Sequence, residues 1–412
     1  MEMFFILDKW CAGNKDFGIS EWETNIWKSY ESLQIGKIST FHFDEFYYLN
    51  NYNGDETLLN LLKKEKPTII CLVLYKMPGS DHTVPKIETI KSIALDLKIP
   101  IISIWGDLEI PEQIRISKSL NKYVQINCAT ASSAAVKRLS NENKYFYSWV
   151  PKDERIFNNP NFKRDINVSY VGSLKNNRLT VINFLQKRGI DVSFGGGERT
   201  GHLTTDEYAK IFKRSKITIS FSRASNSHVI NARPFEAMSC GAMLLEQENF
   251  ETPKLFIPYV DYVPYSSNED LHNKIVYYLE HDDQREKIAN SGNQKIKNYY
   301  NTNLFWTQIV NKVLYGDEIN TNYIMNLSSE KLIYYSTIKK IKLIFLDKIC
   351  SNKFGFKLYI LISSAPDYIF LNFKKFIGLS LNLIIRIVKF FFGKTIYNKL
   401  KIKIKHILKN YN

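Results

Sequence analysis

The stretch HVINARPFEAMSCGAMLLEQE, residues 228–248, places a polar turn and a proline ahead of a short helix-forming segment, a glycine and an apolar run. Proline suits the first helical position, where its missing N–H costs nothing, so Pro234 predicts a helix over residues 235–240. Gly241 suits the left-handed residue just past a helix end. The apolar residues 242–247 then predict a buried strand. The stretch therefore predicts a loop, a short helix and a strand of an α/β sheet.

The same alternation of strands and helices covers the body of the chain. Segments that are apolar and β-branched on both faces are typical of buried parallel strands. Such segments occupy residues 4–7, 67–75, 100–105 and 123–128, and later residues 168–173, 190–197, 216–222, 242–247 and 262–265.

A polar segment with two prolines, residues 151–167, separates the two groups of strands and predicts a linker. The fold class is therefore α/β, with two Rossmann-like domains, residues 1–150 and 168–316, facing each other across a cleft. Ligands of such sheets bind at the carboxyl ends of the strands, so the cleft is the expected site.

The composition favours a packed protein of the reducing cytosol. Hydrophobic residues make up 44% of the 412, and the five cysteines show no C-x-x-C spacing, which argues against a zinc site or disulfide framework. The amino-terminal apolar stretch is short and ends at Asp8, so it predicts a first strand and not a secretory signal. We expect a cytoplasmic protein.

The net charge of +15 is concentrated in the tail. Residues 331–412, which follow a second linker at 317–330, hold 17 Lys or Arg and two Asp or Glu, so the rest of the chain is neutral. The longest uncharged run in the tail, residues 376–385, is too short to span a bilayer.

On a helix, six polar or small residues between 375 and 393 form one narrow stripe on a surface that is otherwise mostly Ile, Leu, Val and Phe. The stripe consists of Lys375, Gly378, Asn382, Arg386, Lys389 and Gly393. A basic amphipathic helix of this kind predicts peripheral binding to an anionic membrane surface, here the inner face. The alternative is that the tail packs on the body. Nucleic acid is disfavoured as a partner, because the basic segment is rich in Ile and Phe.

The helix predicted after Pro234 offers an anion site, because helix N-termini carry free N–H groups and a positive dipole end. Arg233 adds a fixed positive charge with a geometry suited to phosphate. Glu236 can accept hydrogen bonds from hydroxyl groups such as those of a ribose. A diphosphate joined to a ribose would satisfy all three features. The alternative is that Glu236 caps its own helix.

Residues 168–300 resemble the carboxyl-terminal half of glycosyltransferases with two Rossmann domains, the GT-B architecture, and within it the family-1-like group that includes the CgeB type. A further short match, IWGD at residues 104–107, lies in the first domain. The residues that carry the resemblance in the second domain are Tyr170, Val171, Gly172, Ser173, Arg233, Pro234, Phe235, Glu236, Gly241, Asp270, Leu271 and Gly292.

The resemblance implies transfer of a sugar from a nucleotide-diphosphate sugar to a glycan or lipid-linked acceptor. Many retaining members carry two glutamates eight positions apart that bind the donor's sugar and ribose. Glu236 matches the later one, whereas His228 stands at the earlier position and either replaces those hydrogen bonds or faces solvent. The alternatives are a sugar-nucleotide epimerase of the same fold and a catalytically silent, membrane-bound scaffold.

Further donor-binding candidates follow the predicted strands of the second domain. Gly172 and Ser173 end the first of these strands, and Arg178 enters the next helix, where it can meet a phosphate. The alternatives are a tight turn for Gly172 and an exposed helix face for Arg178. Ser222 ends the strand predicted at residues 216–222 and is expected in the cleft.

Catalytic candidates in the first domain are His82 and Asp107, because each lies on a loop after an apolar strand and can reach an acceptor hydroxyl as a base. The alternative for Asp107 is that it caps a helix or turn. No Asp-x-Asp pair follows a strand and no His/Cys cluster exists, so we expect neither a metal nor a cofactor besides the donor. Arg233, Arg178 and helix dipoles would neutralise the donor phosphates.

Overall fold

The computed structural model describes residues 1–108, 110–139, 144–160, 162–174, 177–196, 201, 203–221, 229–249 and 251–318. The predicted membrane-binding tail, Ser222 and His228 lie outside these residues. The predictions made for them therefore stay predictions.

The first domain is built on a sheet of six parallel strands with the order β2-β1-β3-β4-β5-β6. The strands are β1 (Glu2–Ile6), β2 (Lys37–Phe41), β3 (Ile69–Leu72), β4 (Ile101–Trp105), β5 (Ile126–Ala129) and β6 (Tyr145–Tyr147). Sequence had predicted four of them. It missed the edge strands β2, which is mostly polar and partly exposed, and β6, which has three residues.

Helices cover both faces of this sheet. Alternate residues of β1 enter different cores, Met3 and Phe5 on one face and Phe4 and Ile6 on the other. This burial on both faces is the reason the strands are apolar throughout. The helices are α1 (Lys28–Glu31), which continues a π-helical turn at Glu23–Trp27, α2 (Phe43–Asn50), α3 (Asp55–Glu65), α4 (Ile87–Leu95), α5 (Pro111–Leu120) and α6 (Ser133–Arg138).

The second domain has a sheet of five parallel strands in the order β11-β10-β9-β7-β8. The strands are β7 (Ile166–Val171), β8 (Ser193–Gly195), β9 (Ser215–Ser220), β10 (Met243–Gln247) and β11 (Val263–Tyr265). The helices are α7 (Arg178–Gln186), α8 (Thr205–Arg214), α9 (Ala232–Ser239), α10 (Thr252–Leu255), α11 (Asn268–Glu280), α12 (Asp282–Tyr299) and α13 (Thr302–Tyr315). The predicted pair of parallel α/β domains is confirmed.

Helix α13 follows the second domain in sequence but packs against the first. The indole Nε1 of its Trp306 donates a hydrogen bond to Ser29 Oγ at 3.0 Å. The ring centroid of Trp306 lies 5.1 Å from that of Tyr30 and 5.8 Å from that of Phe5. The segment predicted as one domain at residues 168–316 therefore ends with a helix that belongs to the core of the other.

The chain passes between the domains twice, and the two passages are bonded to each other. Thr302 Oγ1 donates to the carbonyl oxygen of Lys152 at 2.6 Å and accepts from its backbone N–H at 3.3 Å. The backbone N–H of Thr302 donates to Glu154 Oε1 at 2.7 Å. The linker and the start of α13 thus form one buried junction.

Trp306→Ala is expected to lower the free energy of unfolding by about 3–5 kcal/mol, because it empties a fully buried site in a close-packed core. Denaturation in urea measures the loss. Tyr315→Ala provides the control, since Tyr315 ends the same helix with 74% of its surface exposed. Equal effects of the two substitutions would contradict the packing of α13 on the first domain.

Candidate functional site

Helix α9 begins two residues earlier than the sequence predicted. Its N-cap is Asn231 and its first residue Ala232, so Pro234 occupies the third helical position instead of the first. The first four N–H groups of a helix have no intrahelical acceptor, so proline costs no hydrogen bond at the third position either.

The end of α9 has the predicted left-handed glycine. Gly241 has a φ of 75°. Its N–H donates to the carbonyl of Met238 at 3.0 Å, and the N–H of Ala242 donates to that of Ala237 at 3.1 Å. This pair of bonds is the Schellman motif, which turns the chain directly into β10.

Gly172, just beyond β7, brings the backbone close to Arg233. Its φ of 133° favours glycine, and its N–H donates to the carbonyl of Gly195 at 2.9 Å. A Cβ atom at residue 172 would lie 3.2 Å from Tyr170 Oη and 3.4 Å from Arg233 Nε. The absence of a side chain therefore leaves room for the guanidinium beside the strand end.

The Arg233 guanidinium contacts a protein ring on one side, but one of its nitrogen atoms has no hydrogen-bond partner among the described residues. Its Cζ lies 5.7 Å from the centre of the Tyr170 ring. Its Nη1 is buried and has no hydrogen-bond partner in the part of the chain that the structure describes. A buried donor without an acceptor is costly, so this atom is a position where an anionic ligand would be stabilised.

Two further buried polar atoms lie at the neighbouring strand ends, and the sequence analysis missed both residues. Ser220 and Glu246 are partners in the register of β9 and β10. Ser220 Oγ and Glu246 Oε2 have no hydrogen bond within the described ranges. Burial raises the pKa of Glu246 to about 7, although the neighbouring Ser220 hydroxyl and, to a smaller extent, the Arg233 guanidinium lower it. The sequence did contain a sign of this site, because Glu246 is an acidic residue inside the otherwise apolar strand predicted at residues 242–247.

Arg178 is directed into the domain and not onto an exposed helix face. It is the first residue of α7 and is buried. Its Nη1 donates to the carbonyl of Ser173 at 2.9 Å and to Tyr170 Oη at 3.2 Å. Tyr170 Oη in turn donates to the carbonyl of Ser173 at 2.8 Å. These bonds hold the turn after β7, while contact of Arg178 with a phosphate stays a prediction.

The carboxylate of Glu236 is buried and lies between the two domains. Its Oε2 accepts a hydrogen bond from Tyr208 Oη at 2.7 Å, and its Oε1 accepts one from Asn25 Nδ2, in the first domain, at 3.2 Å. Burial raises the pKa of Glu236, whereas the two hydrogen bonds and Arg233 lower it. Both carboxylate oxygens thus bond to side chains outside α9, and Glu236 is the fifth residue of that helix, so the alternative that it caps its own helix is wrong.

The predicted catalytic residues lie on two different loops of the first domain. His82 is exposed, and its ring stacks on Tyr47 with 5.3 Å between centroids. Asp107 is half-buried after β4, and its carbonyl accepts the N–H of Ile110 at 2.9 Å. The N-cap of the next helix, α5, is Ile110, so Asp107 begins a turn and does not cap that helix.

Two features are absent from the part of the chain that the structure describes. Within the described residues, no three His, Cys, Asp or Glu side chains form a group that could hold a metal ion. None of the helices in the described ranges is long and apolar enough to cross a membrane.

Residues 167–311 match the sequence profile of a family described as glycosyl transferase-like. No curated protein is significantly similar in sequence to the chain.

Several solved structures share the fold. Anabaena Alr3699/HepE in complex with UDP and glucose matches with a TM-score of 0.52 and 12% identity, over 76% of this chain and 99% of HepE. Sucrose-phosphate synthase from Thermosynechococcus elongatus matches with a TM-score of 0.51 and 11% identity, over 77% of this chain and 100% of the synthase. A glycosyltransferase from Rickettsia africae has a TM-score of 0.50 and 12% identity, over 77% and 99% of the two chains.

Proposed function

Because the chain has the GT-B fold and its second domain is glycosyl transferase-like, we propose that it transfers a sugar from a nucleotide-diphosphate sugar to a hydroxyl of a glycan or lipid-linked acceptor. The observation that carries the proposal is the buried Nη1 of Arg233, which has no protein acceptor in the described ranges. The Nε and Cζ atoms of the same guanidinium lie beside Gly172, where a Cβ atom would be 3.4 Å from Nε and 3.5 Å from Cζ.

A diphosphate fits the polar groups around Arg233. The guanidinium supplies a charged donor, and the N-cap residue Asn231 makes no side-chain hydrogen bond to the first N–H groups of α9. The missing side chain at Gly172 lets a phosphate oxygen approach the backbone. Glu246 repels a nearby anion less than an ordinary glutamate would, because its pKa of about 7 lets it hold a proton part of the time near neutral pH.

Glu236 is suited to the ribose of the same donor. Its carboxylate is fixed by Tyr208 and Asn25, and a carboxylate accepts up to four hydrogen bonds, so ribose hydroxyls can still be bound. The resemblance to retaining GT-B glycosyltransferases, in which the matching glutamate binds the donor, implies the same task. Anabaena HepE was solved with UDP and glucose, which supports uridine diphosphate sugars as the first donors to test.

Thermal stabilisation by UDP-glucose, UDP-N-acetylglucosamine, dTDP-glucose and GDP-mannose tests the proposal. A ligand of the folded state at 100 times its Kd stabilises the protein by about 2.7 kcal/mol. Release of the nucleoside diphosphate from the stabilising donor would support a transferase. Conversion of one free sugar nucleotide into another would support an epimerase instead, and no stabilisation by any of them would favour a silent scaffold.

We further infer that residues 331–412 hold the protein at the cytoplasmic face of a membrane. The composition of this tail, with 17 basic and two acidic residues among many Ile, Leu and Phe, supports that location. Basic side chains near an anionic surface contribute about 1 kcal/mol each. A lipid-linked or surface glycan acceptor would then be close to the enzyme.

Deleting residues 331–412 is expected to abolish sedimentation with vesicles that contain phosphatidylserine. The deletion should leave the shift in Tm caused by the donor unchanged, because every site residue described above precedes the tail. Vesicles of phosphatidylcholine alone are the control for the electrostatic contribution. A truncated protein that still sediments with anionic vesicles would refute the assignment.

A further inference from the structure

Asp8 is a buried acid at the carboxyl end of β1, on the side of the first sheet where its ligands are expected. Only 7% of its surface is exposed. Its carboxylate takes part in no hydrogen bond of the described residues, whereas buried carboxylates are normally bonded. Asp8 is therefore placed and available for a ligand.

Both carboxylate oxygens of each neighbouring aspartate, Asp44 and Asp81, already accept hydrogen bonds from the protein. Asp44 Oδ1 accepts the backbone N–H of Lys9 at 3.0 Å, and its Oδ2 accepts that of Trp10 at 2.9 Å. Asp81 Oδ2 accepts from Lys76 Nζ at 2.9 Å, and its Oδ1 accepts from the N–H of residue 83 at 2.8 Å. Of the three aspartates, only Asp8 has two carboxylate oxygens that accept no hydrogen bond from the described residues.

Four charged or titratable groups face Asp8 from the loops and helix packed around it. Burial raises the pKa of Asp8 to about 7, and Asp44 and Asp81 raise it too, whereas Lys76 and His42 lower it. A carboxylate with such a pKa exchanges a proton near neutral pH.

One of the groups around Asp8, His42, is bonded to a turn that also contacts the second domain. His42 Nε2 lies 2.8 Å from Glu23 Oε2. Glu23 begins the π-helical turn that also contains Asn25, the residue that donates to Glu236 of the second domain. His42, which acts electrostatically on Asp8, is thus bonded to the same turn that contacts the proposed ribose-binding carboxylate.

Exposed aromatic rings flank the same edge of the first sheet. Tyr48 is exposed and packs on Trp10 with 5.5 Å between centroids, and Tyr47 stacks with His82. Rings beside a small number of polar groups are typical of sites for organic ligands. An acceptor sugar, with apolar faces and hydroxyl edges, suits this combination.

We propose, on the basis of the function proposed above, that Asp8 is the catalytic base that receives the proton of the acceptor hydroxyl. The acceptor O–H bond breaks and its proton passes to an Asp8 carboxylate oxygen. The acceptor oxygen forms a bond to C1 of the donor sugar. The bond between C1 and the diphosphate oxygen breaks, and its electron pair leaves with the nucleoside diphosphate.

The test compares the full-length parent with Asp8→Asn, which keeps the shape of the side chain but cannot take up the proton. The release of the nucleoside diphosphate (UDP in the case of a UDP-sugar) from the donor that stabilises the parent most is followed against pH. The parent rate should rise through a pKa near 7. In the variant that rise should disappear and kcat should fall about 100-fold or more, while the donor-induced shift in Tm persists. Asp96→Asn, an exposed acid after α4, is the matched control and should behave as the parent.

A second readout does not require catalysis. Since folding raises the Asp8 pKa from 3.8 to about 7, the folded parent holds a proton that the unfolded chain has lost, and the parent loses stability as pH rises across this window. The Tm of Asp8→Asn should therefore exceed that of the parent by more at about pH 8 than at about pH 5.

Each result separates the two proposals. A parent that releases UDP together with an Asp8→Asn variant that keeps its kcat and its pH dependence would overturn the role of Asp8 and leave the transferase standing. A parent that neither binds nor hydrolyses any of the nucleotide sugars would overturn the transferase, and the base assignment with it. A Tm difference that does not change with pH would overturn the proton uptake itself.

Discussion

Arg233→Ala is expected to weaken the binding of UDP about 100-fold, because truncating one partner of a buried charge pair costs roughly 2–5 kcal/mol. The Nη1 atom of Arg233 has no acceptor within the described residues, so the proposed diphosphate provides its missing interaction. Ser220 Oγ, the other unbonded donor at these strand ends, is uncharged and therefore a weaker donor to a phosphate than the guanidinium. Isothermal titration with UDP measures the loss.

The same substitution should leave the melting temperature of the unliganded protein nearly unchanged, because it removes a donor that is unsatisfied without ligand. Arg233→Lys is the matched variant. It keeps the positive charge but loses the planar fork, so we expect an intermediate loss of affinity. A large fall in Tm together with unchanged affinity for UDP would show that Arg233 serves the fold and not a ligand.

Glu236→Ala is expected to abolish detectable binding of UDP and also to destabilise the protein. The substitution leaves Tyr208 Oη and Asn25 Nδ2 without their acceptor, and each buried orphan costs about 1–3 kcal/mol. The alanine variant alone thus cannot separate binding from folding, so the amide variant is needed.

Glu236→Gln retains one acceptor oxygen in nearly the same shape. We expect it to keep most of the melting temperature but to lose about tenfold or more in affinity for UDP, because hydrogen bonds to a charged carboxylate are worth roughly 1.5–3 kcal/mol. Tyr208→Phe is the control, since it removes one support of the carboxylate and leaves the charge. An amide variant that binds UDP as tightly as the parent would exclude Glu236 from the ribose site.

The sequence predicted the second domain better than the details of its helix α9. Proline is tolerated at any of the first positions of a helix, so Pro234 could not show by itself whether the helix began at residue 232 or 234. Gly241 gave the correct end because a left-handed residue with these bonds is almost specific to glycine. Strand β2 was missed because its polar, half-exposed edge position leaves no apolar run.

The predicted site was incomplete for a different reason. Gly172 and Arg233 were identified because a strand end and a helix start have recognisable local patterns. Asn25 and Asp8 carry no such pattern, since their importance arises from burial and from contacts with residues distant in sequence. Local periodicity reports which face of an element is apolar, but it does not report which polar group a neighbouring domain will enclose.

The buried junction of Lys152 and Thr302 constrains how the cleft can open. Two domains that are joined at two points rotate relative to each other most easily about the axis through those points. Here the two connections are bonded to each other through Thr302, so they act as one short pivot. A rotation about this pivot that separates the domains would break the hydrogen bond between Asn25 and Glu236, so binding at the proposed ribose carboxylate and the relative position of the domains would be coupled.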